Sequence, residues 1–225
     1  MRRAYDEELE QLHRKFYQMG CMVNEAIYKS IKAFVKHDKE LATGVIEEDK
    51  HINQMELDLE QSCIELIALQ QPVTTDLRKI ITVMKASADL ERMGDHAVSI
   101  SKSTIRVKGM KRNSAIESMI SDAGEKIKKM GEDVLTAYIE YDTERAVEIA
   151  KYDYLVDSLA HDIKEACISE MKKDPELVLG ATDYMMASTY IERIGDYITN
   201  ISEWIVYFET GEIQELNTHH KYDEM

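Results

Sequence analysis

The chain has little that breaks a helix. Its 225 residues include only two prolines and nine glycines, and apart from twelve tyrosines it has one tryptophan and three phenylalanines. Scarce proline and glycine remove most of the punctuation that a sandwich, a barrel or a loop-rich fold requires, and leave a helix-forming mixture. Three cysteines, Cys21, Cys63 and Cys167, are scattered without CxxC spacing. An odd, dispersed set argues against a disulfide framework or a zinc site and suits a reducing cytoplasm. No apolar run is long enough to span a bilayer. The opening MRRAYDEELEQ runs into a polar helix, not a secretory signal. Positive charge is also short: 28 Lys and Arg against 43 Asp and Glu give a formal charge of −15. Such a surface repels phosphate backbones, which argues against a nucleic-acid partner and favours metal cations or basic protein faces. It also keeps the protein soluble.

What the chain does have is a repeat. DKELATGVIEEDKHINQM begins at Asp38 and DTERAVEIAKYDYLVDSL at Asp142, an offset of 104 (142 minus 38). This register aligns Asp49 with Asp153, Ile52 with Val156 and Asn53 with Asp157. Further on, DLERMGDHAVSI at 89–100 returns as YIERIGDYITNI at 190–201, with Glu91 matching Glu192 at an offset of 101. The three-residue difference falls in the intervening turn, where Pro72 and Pro175 sit. Periodicity and end signals predict six long helices over 4–37, 39–70, 74–107, 113–141, 143–173 and 175–210. Asp38 and Asp142 read as N-caps, Thr74 or Thr75 as the next cap, and Asp174-Pro175 as a cap followed by an N1 proline. The expected architecture is all-α: two tandem three-helix bundles, 1–108 and 114–211, packed together. A basic linker at 109–113 joins them, and a loose tail follows at 212–225.

The repeated motif raises a chemical question. At 100° per residue, Leu90, Met93, Ala97 and Ile100 share one face, and Glu91, Asp95 and Ser99 form a stripe nearly opposite. The second copy sets Ile191, Ile194, Ile198 and Ile201 against Glu192, Asp196 and Asn200. Charged residues opposite an apolar seam are usually a solvated, salt-bridged face. Against that plain reading, Glu and Asp at i, i+4 repel by ~0.2–0.5 kcal/mol. Gly94 and Gly195 sit mid-helix beside the stripe, a choice that costs ~1 kcal/mol relative to alanine and admits a close neighbour. The whole pattern occurs twice in register. Asp49 with Asn53, and Asp153 with Asp157, are i, i+4 pairs on the preceding helix that can join each stripe. Such oxygen sets suit hard cations, Mg²⁺, Mn²⁺ or iron. Arg92 and Arg193 can pair with the carboxylates.

QQPVTTDLRKI at 70–80, LERMGDHAVSI at 90–100 and IERIGDYITNI at 191–201 resemble the PhoU family, and the resemblance extends from Met19-Gly20 through both halves. It implies two three-helix bundles carrying multinuclear metal sites on their outer faces, with iron, manganese, magnesium or zinc as the ion. Carried over by motif, the ligands are Glu91, Asp95, Glu192 and Asp196, assisted by Asp49, Asp153 and Asp157, with Asn53, Asn200 and Ser99 as further candidates. Asn53 and Ser99 depart from the pattern, which ranks the first-half site as the weaker. The family role so implied is a cytoplasmic, dimeric, non-catalytic adaptor. It stands between the ATPase of the phosphate ABC transporter and a membrane sensor histidine kinase, restraining uptake and signalling when phosphate is plentiful. It reaches the membrane only through those partners. An accessory to another phosphate or cation transporter is the nearest alternative.

A ferritin-like di-iron centre needs paired Glu-x-x-His motifs in one bundle. Glu10 to His13 and Glu48 to His51 have that spacing but fall ~20 Å apart along antiparallel helices. The histidines are expected at the surface or at bundle ends. No nucleophile motif or Gly-rich phosphate loop is present. Asp76 and Arg78 read as a cap and a helix-pairing arginine, or alternatively as part of a partner surface.

Overall fold

In the computed structural model, residues 2–107 and 109–216 are described, with side chains from Tyr5 onward. Among them are six long helices and no strand: α1 Arg2–Lys36, α2 Lys39–Gln70, α3 Thr74–Val107, α4 Ser114–Glu140, α5 Thr143–Lys173 and α6 Val178–Thr210, with a 3₁₀ turn at Pro175–Leu177 before α6.

The ends obey the sequence signals with one exception. Asp38 caps α2 by accepting from the Leu41 amide at 3.0 Å, and Asp142 caps α5 by accepting from the Arg145 amide at 2.9 Å. The residues just before them, His37 and Tyr141, are both left-handed, at φ 53° and 54°. Each following amide donates to an alanine carbonyl, Asp38 to Ala33 and Asp142 to Ala137, both at 2.9 Å. The two halves therefore turn the same corner with the same hydrogen bonds. Asp174 accepts from the Glu176 amide at 3.1 Å, ahead of Pro175. The exception is the start of α3: Thr74 opens the helix itself at φ 42°, and Asp76 lies within the first turn instead of capping it, its amide donating to the Val73 carbonyl. Arg78 pairs helices as expected, its guanidinium lying against Gly211 at the C-terminus of α6.

The helices pack as α1–α2–α3 and α4–α5–α6, and the two sets join through α3 against α6 and α1 against α4. A central four-helix layer results, with α2 on one flank and α5 on the other. One hydrophobic core runs through both halves, from Phe16, Leu59 and Leu90 to Ile127, Ile163 and Ile194. Helices α1 and α4 approach closely because Gly124 admits Ile31 and Gly131 admits Asn24, leaving no room for a Cβ. The linker is an ion-paired strap: Arg106 holds Asp183 at 2.7 Å, Lys111 holds Asp174 at 2.5 Å, and Arg112 holds Glu117 at 2.7 Å. The tail departs from expectation over 212–216, where Leu216 packs on the core and its amide donates to Glu203 at 2.8 Å. Residues 217–225 lie outside the described residues.

Candidate functional site

The predicted stripes lie where α3 meets α2 and α6 meets α5, on the outer flank of each half. Glu91 and Glu192 are half-exposed and Asp95 and Asp196 exposed, while the opposing Leu90, Met93, Ile191 and Ile194 are buried. The helical period thus points the carboxylates away from the core, as the sequence requires.

In the first half, Asp49 and Asn53 of α2 stand beside this stripe. Asn53 Nδ2 donates to Asp49 Oδ2 at 3.2 Å. Asp49 Oδ1 and Asn53 Oδ1 are buried and accept no hydrogen bond. Burial raises the Asp49 carboxyl above its usual range, and the Asp95 charge adds to this. Burial likewise raises Glu91, followed by the charges of Asp95, Glu56 and Asp49. Glu56 was not anticipated. It lies one turn beyond Asn53 on the same face of α2, so extending the Asp49–Asn53 spacing to i+7 would have found it.

The second half is tighter. Asp153 is fully buried. A Cβ on Gly195 would collide with Asp153 Oδ1, whereas a Cβ on Gly94 would stand 3.5 Å from Asp49 Oδ1. The close neighbour that the mid-helix glycine admits is therefore an aspartate of the preceding helix. Thr199 donates to Asp153 Oδ2 at 3.3 Å. Burial, with Asp157 and Asp196 nearby, pushes Asp153 up to about 8. Lys164 of α5 holds Glu192 at 2.6 Å, a pairing that motif reading missed.

Four candidates point elsewhere. Ser99 Oγ donates to the carbonyl of Asp95, and Asn200 donates to Asp89 across the α3–α6 contact at 3.5 Å. Arg92 reaches back to Asp89 at 3.8 Å and lies over the Tyr197 ring, so its ion pair is with a carboxylate outside the stripe. Arg193 acts on His96, where burial and then the arginine's charge lower the imidazole pKa. The histidines are not simply superficial: His13 bonds Tyr138, His37 bonds Glu117, and His96 stacks on Tyr190 and Tyr197. His51 is exposed.

As placed, no three His, Cys, Asp or Glu side chains among the described residues form a ready metal cage. The donors nevertheless suit a hard cation. They are all oxygens, two of them buried and without a hydrogen bond, on neighbouring helices with accumulated negative charge.

This architecture defines an all-helical tandem repeat with one acidic cluster per half. The family model described as PhoU domain matches residues 16–104 and 120–205, and the chain belongs to the PhoU family. The phosphate-specific transport system accessory protein PhoU homolog of Clostridium acetobutylicum is 38% identical over 217 residues, covering 96% of this chain and 99% of that protein. The Escherichia coli accessory protein PhoU is 32% identical over 208 residues, covering 92% and 86%. The crystal structure of the phosphate transport system regulatory protein PhoU from Streptococcus pneumoniae superposes with TM-score 0.86 at 34% identity, covering 93% of this chain and 99% of that one. PhoU from Pseudomonas aeruginosa gives 0.88 at 30%, covering 92% and 100%.

Proposed function

We propose that this protein regulates phosphate uptake and phosphate-starvation signalling as a non-catalytic cytoplasmic adaptor. Its partners are the ATPase of the phosphate ABC transporter and a phosphate-sensing histidine kinase, and it restrains both when phosphate is plentiful. One observation carries this reading: nearly the whole chain matches relatives whose names place them in the phosphate-specific transport system. The charge of −15 suits basic faces on the partners, and the working form is a homodimer. Crosslinking affinity capture of the tagged protein from phosphate-replete cells tests it. Enrichment of the transporter ATPase or the kinase supports the adaptor role. Recovery of neither, with both detectable in the lysate, rejects it.

Within this reading the acidic clusters hold magnesium, manganese, iron or zinc. Glu91 and Asp95, with Asp49, Asn53 and Glu56, would bind the ion in the first half. Glu192 and Asp196, with Asp153 and Asp157, would do so in the second. A bound cation would neutralise the crowded carboxylates and tie α2 to α3 and α5 to α6. The double variant Glu91→Ala, Asp95→Ala is expected to lose metal by elemental analysis while keeping its helical circular dichroism. Unchanged metal content rejects the first-half site.

A further inference from the structure

The repeat register allows the two clusters to be compared position by position. At the offset of 104, Glu56 of α2 corresponds to Ala160 of α5, and Glu60 to Lys164. At the offset of 101, Val98 corresponds to Thr199 and Lys102 to Glu203. These exchanges change what each cluster offers a cation.

In the second half a positive charge is already built in. Lys164 Nζ lies 2.6 Å from Glu192 Oε2, with both side chains about one-third exposed. Its stem rises from α5 on the same face as Asp153 and Asp157, seven residues beyond Asp157. A metal that takes Glu192 through Oε2 must displace this ammonium, and one that takes Oε1 meets its charge close by. Asp153, meanwhile, is seated against Gly195 and bonded by Thr199, so moving it towards a cation disturbs packing.

In the first half no lysine or arginine is ion-paired with Glu91 or Asp49 among the described residues. Arg92 is drawn aside to Asp89 and Tyr197. Lys102 is near enough to lower the Asp49 carboxyl, but only as the weakest of four influences. Glu56 adds a carboxylate that the second half replaces with a methyl group. Asp49 Oδ1 and Asn53 Oδ1 are buried without a hydrogen bond, and Gly94 leaves Asp49 ordinary van der Waals room. The Ser99 departure costs the cluster nothing, because Asn200 at the matching position turns to Asp89 instead.

We infer that the two clusters are unequal cation sites: the first, completed by Glu56, binds a hard divalent ion more tightly, and Lys164 acts in the second as a tethered counter-ion that competes with metal. This rests on the cation reading above and reverses the ranking that Asn53 and Ser99 imply from the motif alone.

The test is calorimetric titration of chelator-treated full-length protein with Mn²⁺ alone. Wild-type protein is expected to show two classes of site, and Glu91→Ala with Asp95→Ala to delete the tighter one. Glu56→Gln should weaken the tight class about tenfold or more. Lys164→Met should strengthen the weak class about fivefold and leave the tight class unchanged. The Lys164 and Glu56 side chains are partly exposed, so both variants should keep the parent's melting profile. Two indistinguishable classes, or no response of the weak class to Lys164→Met, overturns the inference while leaving the cation reading intact. No Mn²⁺ binding at either cluster removes the cation reading itself, and this inference with it.

Discussion

Two glycines at matching positions of the repeat do different physical work. Gly195 is a cradle: its missing Cβ is the space that Asp153 Oδ1 occupies. Gly195→Ala should therefore force the buried aspartate aside and lower stability by about 1–3 kcal/mol. Gly94 meets only ordinary contacts at 3.4–3.5 Å, so Gly94→Ala should gain up to about 1 kcal/mol of helix propensity. Urea unfolding of the two variants checks the pair, and equal shifts of the same sign would refute the cradle. Asp153 also makes a pH prediction. Its folded-state pKa of about 8 is raised above the ordinary carboxylate value near ~3.9, so the folded protein retains a proton that the unfolded chain releases. Its contribution is fully favourable below the unfolded value and is lost as pH rises through about 8. In metal-free protein, Asp153→Asn should raise Tm by several degrees at pH 8, at roughly 2–4 °C per kcal/mol, and the gain should shrink towards pH 5. A gain independent of pH would exclude ionisation of Asp153 as its cause.

At the scale of helices, the linker and the first turn meet at one buried carboxylate. Glu117, in the first turn of α4, accepts from Arg112 at 2.7 and 3.0 Å, from Tyr184 of α6 at 2.7 Å, and bonds His37 at 2.8 Å. Burial pushes its carboxyl up, but the hydrogen bonds from Arg112, Tyr184 and His37 outweigh this and leave it below its usual range. Arg112 also donates to the Val35 carbonyl at 2.8 Å, so the end of α1, the linker, α4 and α6 share a single network. Glu117→Ala strands the buried Tyr184 hydroxyl and the largely buried His37 and should cost about 2–4 kcal/mol, while Glu117→Gln, which keeps most donors satisfied, should cost less. Thermal melts of the two variants distinguish them, and an alanine variant as stable as the parent would dissolve the network's role. None of this was visible in RVKGMKRNS at 106–114, the stretch around the linker, which reads only as a basic break. The helices around it were legible to within a few residues, because their apolar period and Asp caps are local features. The partners of Glu117 lie up to 80 residues away and depend on how helices stack.

For the molecule as a whole, the two repeats share their core. Helices α3 and α6 are buried against their own bundle and against each other, and carry Ser87, Ser101, Ser103, Ser188 and Ser202 into the interior. At this contact His96 stacks on Tyr197, its own counterpart in the repeat, and Trp204 donates to Asp89 at 3.1 Å. Trp204 is the single tryptophan and reports directly on the join between the halves. Its fluorescence and far-UV circular dichroism are expected to change in one coincident thermal transition. Separate midpoints would show that the bundles unfold independently.

The sequence by itself determined six helices, their doubling, and two outward stripes of carboxylate. Each of these follows from spacing within one helix, where 3.6 residues per turn converts position into direction. Tertiary structure alone decided that Lys164 holds Glu192, that Asp153 is buried against Gly195, and that Glu117 and Asp89 bind across the repeats. These pairings depend on the depth and rotation at which two helices pack. That geometry is set by the summed fit of many side chains, so no single motif records it.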